Sequence, residues 1–288
     1  MKTPLGQPEC VWPLAAELGE GPLWWNNVLW FTDIKQDRIH GFDPRTHQGR
    51  SWEAPMAPGF LAPCRSGGFL VGAKLGLFHF DPESGDLRFL QPVEPDRLGN
   101  RLNDGAVDPK GRLWFGSMDD AEMDASGVLY RLDSGGPKAM DDGYVITNGP
   151  AFSPDGRVLY HTDTLARTIY RFDVSEDGTL SDKQVLVRIE DGAGYPDGPA
   201  VDAEGCLWTG LFGGWAARRY APDGALLSDV RFPVANVTKL AFAGTTAYAT
   251  TAWKGLDKTA RMAQPLAGGL FRFEVKTPGL PQHAMRDG

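Results

Sequence analysis

Apolar residues come in short bursts along this chain. Val28-Leu29-Trp30, Phe69-Leu70-Val71, Leu113-Trp114-Phe115, Val158-Leu159-Tyr160, Cys206-Leu207-Trp208 and Ala247-Tyr248-Ala249 follow one another at intervals of roughly 41 to 48 residues. That interval is the length of a four-stranded propeller blade. After each burst comes a segment that alternates with period two, as in Arg38-Ile39-His40-Gly41-Phe42, Thr168-Ile169-Tyr170-Arg171-Phe172 and Gly269-Leu270-Phe271-Arg272-Phe273. Such alternation marks a half-buried strand, and no useful window shows helical periodicity. Turns fall between the strands. Asp108-Pro109-Lys110-Gly111 and Ser153-Pro154-Asp155-Gly156 place Pro second and Gly fourth, which is type I turn chemistry.

Six copies of this unit fill the chain and leave no room for a second domain. Residues 1–288 therefore read as a single all-β domain, a six-bladed β-propeller. A β-sandwich with regular strand spacing is the alternative, but sandwiches do not repeat a whole four-strand motif six times. An open ring would expose sheet edges, so the two termini are expected to share a blade. Glu9-Cys10-Val11-Trp12-Pro13-Leu14 is the candidate closing strand.

Composition narrows the partners. Net charge is -8, and Lys and Arg never cluster beyond a pair such as Arg218-Arg219. That argues against nucleic acid and anionic membrane as partners, and it suits an enzyme or binding protein for small molecules. The opening MKTPLGQPEC has no apolar signal region, and no apolar run approaches the roughly 20 residues that span a bilayer. The three cysteines, Cys10, Cys64 and Cys206, are odd in number and far apart, as expected of thiols in a reducing cytoplasm. The oligomeric state stays open, and a monomer is compatible with the sequence.

Candidate chemistry emerges on counting back from each burst to the start of the innermost strand. Blade one gives Glu20-Gly21-Pro22, blade four Asn148-Gly149-Pro150 and blade five Asp197-Gly198-Pro199. Blade three gives Asn103-Asp104-Gly105-Ala106, with a register open by one residue between Asn103 and Asp104. Blades two and six contribute only apolar or hydroxyl residues, around Phe60-Leu61 and Val237-Thr238. Innermost strands line the central channel, so Glu20, Asn148 and Asp197 are expected to converge at its mouth. Two carboxylates crowded there repel, and at least one tends to stay protonated unless a cation relieves the pair. Hard oxygen donors of this kind suit Ca²⁺, Mg²⁺ or Mn²⁺. Three or four protein ligands leave open positions for water and a substrate oxygen, the arrangement of a catalytic site.

At this point GEGPLW, RLNDGAVDPKGRLWFGSM, ITNGPAFSPDGRVLYHTDT and YPDGPAVDAEGCLW resemble the motifs of the gluconolactonase, regucalcin and senescence-marker family, from about Glu9 to Phe273. Within it the chain is most similar to bacterial sugar lactonases that open xylonolactone or arabinolactone. The resemblance implies a six-bladed propeller with one divalent metal ion on its axis, held by Glu20, Asn148 and Asp197. Calcium, zinc, manganese and iron(II) all occur in the family. It further implies that Arg101 and Asn103 contact substrate. Some members carry a glutamate where this chain has Ala121, and Asp119, Asp120 and Glu122 are the replacements at hand; Asp120 is taken as the substrate-facing one. The expected reaction is hydrolysis of an aldonolactone, a pentono- or hexonolactone, to its aldonic acid. Asp197 is the catalytic candidate, steering or deprotonating the attacking water in addition to ligation.

Other devices are missing from the sequence. There is no Gly-x-Ser-x-Gly elbow, and Gly192-Ala193-Gly194 lacks dinucleotide spacing. His40, His47, His79, His161 and His283 have no metal-ligand spacing, and His161 is expected to be structural. Three function classes remain: a sugar lactonase, a metal-dependent esterase or phosphoesterase acting on other substrates, and a non-catalytic propeller that binds proteins. The last has no need of ligand-type side chains on its axis.

Overall fold

The computed structural model describes residues 6–286, whose strands, β1 to β24 in chain order, form six separate four-stranded antiparallel sheets. The innermost strands are β2 (Gly19–Trp25), β6 (Phe60–Pro63), β10 (Asn100–Val107), β14 (Thr147–Phe152), β18 (Tyr195–Val201) and β22 (Asn236–Ala243). Each touches the next around a ring, and β22 returns to β2. The sixfold repeat is the expected β-propeller.

Ring closure uses both ends of the chain. β1 (Glu9–Trp12) pairs antiparallel with β24 (Leu270–Glu274), with Glu9 opposite Arg272 and Trp12 opposite Leu270. Trp12 then reaches into blade one, stacking on Phe42 with centroids 5.9 Å apart and meeting Phe31 edge-on at 5.8 Å. Stacked and edge-on aromatic pairs add to simple area burial, so this side chain ties blade six to blade one.

The turns before the bursts carry their own fastening. Asp108 accepts the N–H groups of Lys110 and Arg112 and the Trp114 indole N–H at 3.0 Å. Asp202 repeats the device one blade pair later with Glu204, Cys206 and the Trp208 indole at 2.9 Å. Between blades the core is apolar, for example Trp208, Val237, Phe242 and Phe271 between blades five and six.

Among the described residues a single short helix accompanies the strands, and the fold is all-β as expected. α1 (Lys258–Ala263) follows blade six's second strand, with Asp257 accepting the Ala260 N–H at 2.8 Å as its N-cap. Six residues make fewer than two turns, too few for a 3.6-residue period to register. No helix among the described residues is long and apolar enough to cross a membrane.

Residues 277–286 form a strap across one end of the channel. Pro278 accepts the Ala203 N–H at 2.8 Å, Gly279 donates to Gly244 at 3.0 Å, Met285 to Pro63 at 2.7 Å and Arg286 to Gly111 at 3.0 Å. The strap thus touches blades five, six, two and three. Above it lies a cavity of about 170 Å³ lined by Pro22, Leu61, Ala106, Ala151, Pro199 and His283. We call this the lower mouth.

Candidate active site at the upper mouth

Strand pairing fixes the register that the sequence leaves open. Trp24, Val107, Phe152, Val201, Phe242 and Pro63 stand opposite Leu29, Leu113, Leu159, Leu207, Ala247 and Phe69. Four residues before each come Glu20, Asn103, Asn148, Asp197, Thr238 and Gly59. Asn103 is therefore level with Glu20, Asn148 and Asp197, whereas Asp104 stands one step on, level with Gly21, Gly149, Gly198 and Lys239. At this level the register slips in five of the six inner strands, as between Glu20 and Leu23 in β2 or Val237 and Leu240 in β22. A bulge re-aims side chains and breaks strict alternation, so two consecutive residues can face the channel. That also explains why counting back from the bursts leaves the register open by one residue between Asn103 and Asp104.

Hydrogen bonds lock the polar side of the ring. Asn103 donates from Nδ2 to the Thr147 carbonyl at 2.6 Å and to Asn148 Oδ1 at 3.1 Å. Asn148 spends its own Nδ2 on Thr164 Oγ1 at 2.9 Å. The Asn148 amide is thereby oriented, and its oxygen keeps a second lone pair. Arg101 donates from Nη1 to Asn103 Oδ1 at 2.6 Å and from Nε to Asp120 Oδ1 at 3.0 Å. Its Nη2 has no hydrogen-bond partner among the described residues.

The acidic side is less satisfied. Glu20 and Asp197 are both 5% exposed. Burial, then the Asp104 charge, pushes the Glu20 carboxyl up to about 7, despite relief from the Gly21 N–H and Lys239. Asp197 is raised well above the carboxylate range by burial and by its neighbour Glu20. One oxygen of Asp197, Oδ1, is buried without a hydrogen-bond partner. A buried anion in that state is costly, and a cation between the two acids removes the cost. No group of three or more His, Cys, Asp or Glu that could hold a metal ion is present among the described residues; Glu20, Asp197 and Asn148 line one pocket as two carboxylates and an amide. Gly21 and Gly149, which follow two of these donors, have φ of 55° and 90°, a region that side-chain-bearing residues avoid.

These groups line a pocket of about 250 Å³. Arg101, Asn103, Glu122 and Lys254 form its polar wall, and Leu18, Met118, Ile146, Leu165, Tyr195 and Phe212 its apolar one. Asp120 stands behind Arg101 and is not among the lining residues. It accepts from Lys35 Nζ at 2.8 Å and Lys74 Nζ at 3.2 Å as well as from Arg101. Partial burial works against its charge, yet those cations hold its carboxyl well below the usual range. Of the acids around Ala121, the one lining the pocket is Glu122, ion-paired to Lys254. Asp119 instead accepts the N–H groups of Ala121, Met123 and Asp124 and so shapes the loop. His161 is fully buried, edge-on to Tyr144 at 4.9 Å and away from the pocket lining.

Lys239 and Lys254 carry no local mark in the sequence. Lys239 adjoins Val237-Thr238, where the register pointed, but its partner Asp104 lies 135 residues away. Nothing local signals such a pairing.

The molecule is thus a six-bladed propeller with a half-polar pocket over an acidic channel mouth. The chain belongs to the SMP-30/gluconolactonase/LRE-like family, whose model matches residues 18–253. It is 33% identical to 6-deoxy-6-sulfogluconolactonase of Pseudomonas putida, over 94% of this chain and 96% of that one. It is 32% identical to regucalcin of Homo sapiens, over 92% and 93% respectively. A crystal structure of a calcium-binding protein, regucalcin, from Agrobacterium tumefaciens superposes with a TM-score of 0.94 at 27% identity, covering 98% of each chain.

Proposed function

We propose that this chain is a lactonase that hydrolyses a sugar lactone to its hydroxy acid at the upper mouth, with a divalent cation held by Glu20, Asn148 and Asp197. The observation that carries this reading is the buried, unpartnered Oδ1 of Asp197 beside Glu20. Lactonase relatives that span nearly the whole chain support the reaction class. The resident ion, when bound, supplies Lewis-acid polarisation of the ester carbonyl.

The chain's own residues do the rest. Asp197 accepts a proton from water as its oxygen bonds to the carbonyl carbon, and returns it to the ring oxygen when the acyl C–O bond breaks. Arg101 Nη2 donates to a substrate oxygen, while Nε and Nη1 stay fixed on Asp120 and Asn103. Asn103 positions both Arg101 and Asn148. The apolar wall, from Ile146 to Phe212, packs the C–H face of a sugar ring and limits water around it. A pocket of about 250 Å³ suits a five- or six-carbon lactone.

The test is hydrolysis of a lactone panel with and without chelator, with neutral esters and phosphoesters as controls. Lactone turnover that chelator abolishes and a divalent ion restores is expected. Full turnover in metal-free protein removes the ion from the reading, and inactivity on every lactone overturns it.

A further inference from the structure

Directly below the ring lies a second tier that the hydrolysis does not use. Asp104 projects from blade three and Lys239 from blade six, which face each other across the axis. Their side chains meet in the channel, with Lys239 Nζ 2.6 Å from one Asp104 oxygen and 2.7 Å from the other. Asp104 is held in turn by the N–H groups of Gly105 and Gly149, both at 2.8 Å. The lysine stem crosses over Gly198, where an added Cβ would stand 2.5 Å from its Cδ. Glycine follows Asp197 so that this cation can pass.

The tier sets a charge balance. Glu20, Asp104 and Asp197 are buried acids of the channel; of the two buried cations beside them, Arg101 is ion-paired outward to Asp120 and Lys239 to Asp104, so Lys239 is the one that counts against the three acids. Ionised, these acids and Lys239 sum to two negative charges. Asp104 and Lys239 cancel each other, which leaves the two ring acids to match a doubly charged ion. On the reading that Glu20, Asn148 and Asp197 hold a cation, we infer that Lys239 is a specificity-determining residue: it fixes the channel at two negative charges and so favours a divalent over a trivalent ion. Removing its charge leaves three negative charges, and an uncompensated buried charge in the channel beside the site discriminates between the two valences.

Titration calorimetry of chelator-stripped protein with Ca²⁺ and with Tb³⁺ at pH 7 tests this. Lys239→Met should raise the Tb³⁺-to-Ca²⁺ affinity ratio by about tenfold or more. Asp104→Asn, which leaves one net negative charge, should lower it by a similar factor. The double variant Asp104→Asn with Lys239→Met restores two negative charges and should return the ratio to within about threefold of wild type. Because Asp104→Asn and the double variant bury no extra anion, they decide the matter even if Lys239→Met fails to fold. Ratios that do not follow net charge overturn the inference while leaving the ring intact. Wild type that binds neither ion overturns the ring reading itself.

Discussion

At the upper mouth the inner strands present Glu20, Asn103, Asn148, Asp197 and Thr238; three residues further along the same strands they present Leu23, Ala106, Ala151, Ala200 and Ala241. The first set is polar, two carboxylates, two amides and the Thr238 hydroxyl, and within it Asp197 keeps one buried oxygen without a partner. The second is small and apolar, and the strap closes it off. Bulges separate the two, so one strand can carry strained chemistry at its start and ordinary packing at its end. The division implies that substitutions above cost activity and those below cost stability.

The sharpest break comes at Asp197. Asp197→Ala should lower kcat by about 10³-fold, the scale of a lost general base, with no loss of folded structure by circular dichroism. A variant that unfolds would make Asp197 part of the scaffold. Next is Arg101→Ala, expected to lower kcat/KM by about 10- to 100-fold while ion affinity by calorimetry stays near wild type. Asp120→Asn should act in the same direction and less strongly, since it touches substrate only through Arg101.

Glu20→Gln sharpens the contrast between ion-loaded and ion-free protein. Burial and the nearby charge of Asp104 disfavour an ionised Glu20, and the Glu20 charge in turn disfavours an ionised Asp197, so the metal-free variant should melt no lower than metal-free wild type. A divalent ion at 100 times its Kd adds about 2.7 kcal/mol to whichever protein binds it, and wild type should gain more at equal ion concentration. A variant that melts several degrees lower in chelator would show that Glu20 is structural.

Below, the signs reverse. Leu280 packs half-buried against the core of blades four and five, and Leu280→Ala should cost about 1 kcal/mol with kcat unchanged. A fall in kcat would mean that the strap communicates with the upper mouth. The smallest effect belongs to His283, whose pKa is lowered by burial, with the Asp108 charge partly opposing. Its neutral form is the one the strap holds. Its contribution is therefore complete above the ordinary histidine pKa near 6.5 and fades as pH falls through the lower folded value. Between pH 8 and 4.5 the melting temperature of wild type should fall by about 2 °C more than that of His283→Gln. Equal falls would remove His283 from the strap's pH response.

Much of this was legible in the chain because a propeller writes its architecture as a repeat. Six bursts, their turns and the Glu9–Leu14 closing segment gave the blades and the ring's seam, and the fixed count back to Glu20, Asn148 and Asp197 gave the mouth. Asn103 and Asp104 stayed ambiguous because a bulge defeats alternation where the two diverge. Lys239 was hidden for another reason. Its role depends on a long side chain crossing an axis to a residue 135 positions away, and neither end carries a local mark. Glu122 with Lys254, 132 positions apart, is the same case.

The seam has a consequence for how the molecule is made. β1 is synthesised well ahead of its partner β24, since Glu9 and Arg272 are separated by 263 residues. At ribosomal speeds of about 5–20 residues per second, the first strand waits on the order of 10 to 50 seconds for its partner. Five blades can assemble vectorially in that time, but the sixth cannot. Throughout the wait Trp12 lacks the sheet that will hold it, and the edge of blade six does not yet exist. A first strand only four residues long, opening on the exposed Glu9, offers little to a neighbouring nascent chain. The emergence of β24, rather than the completion of any earlier blade, is then the event that commits the ring to its closed form.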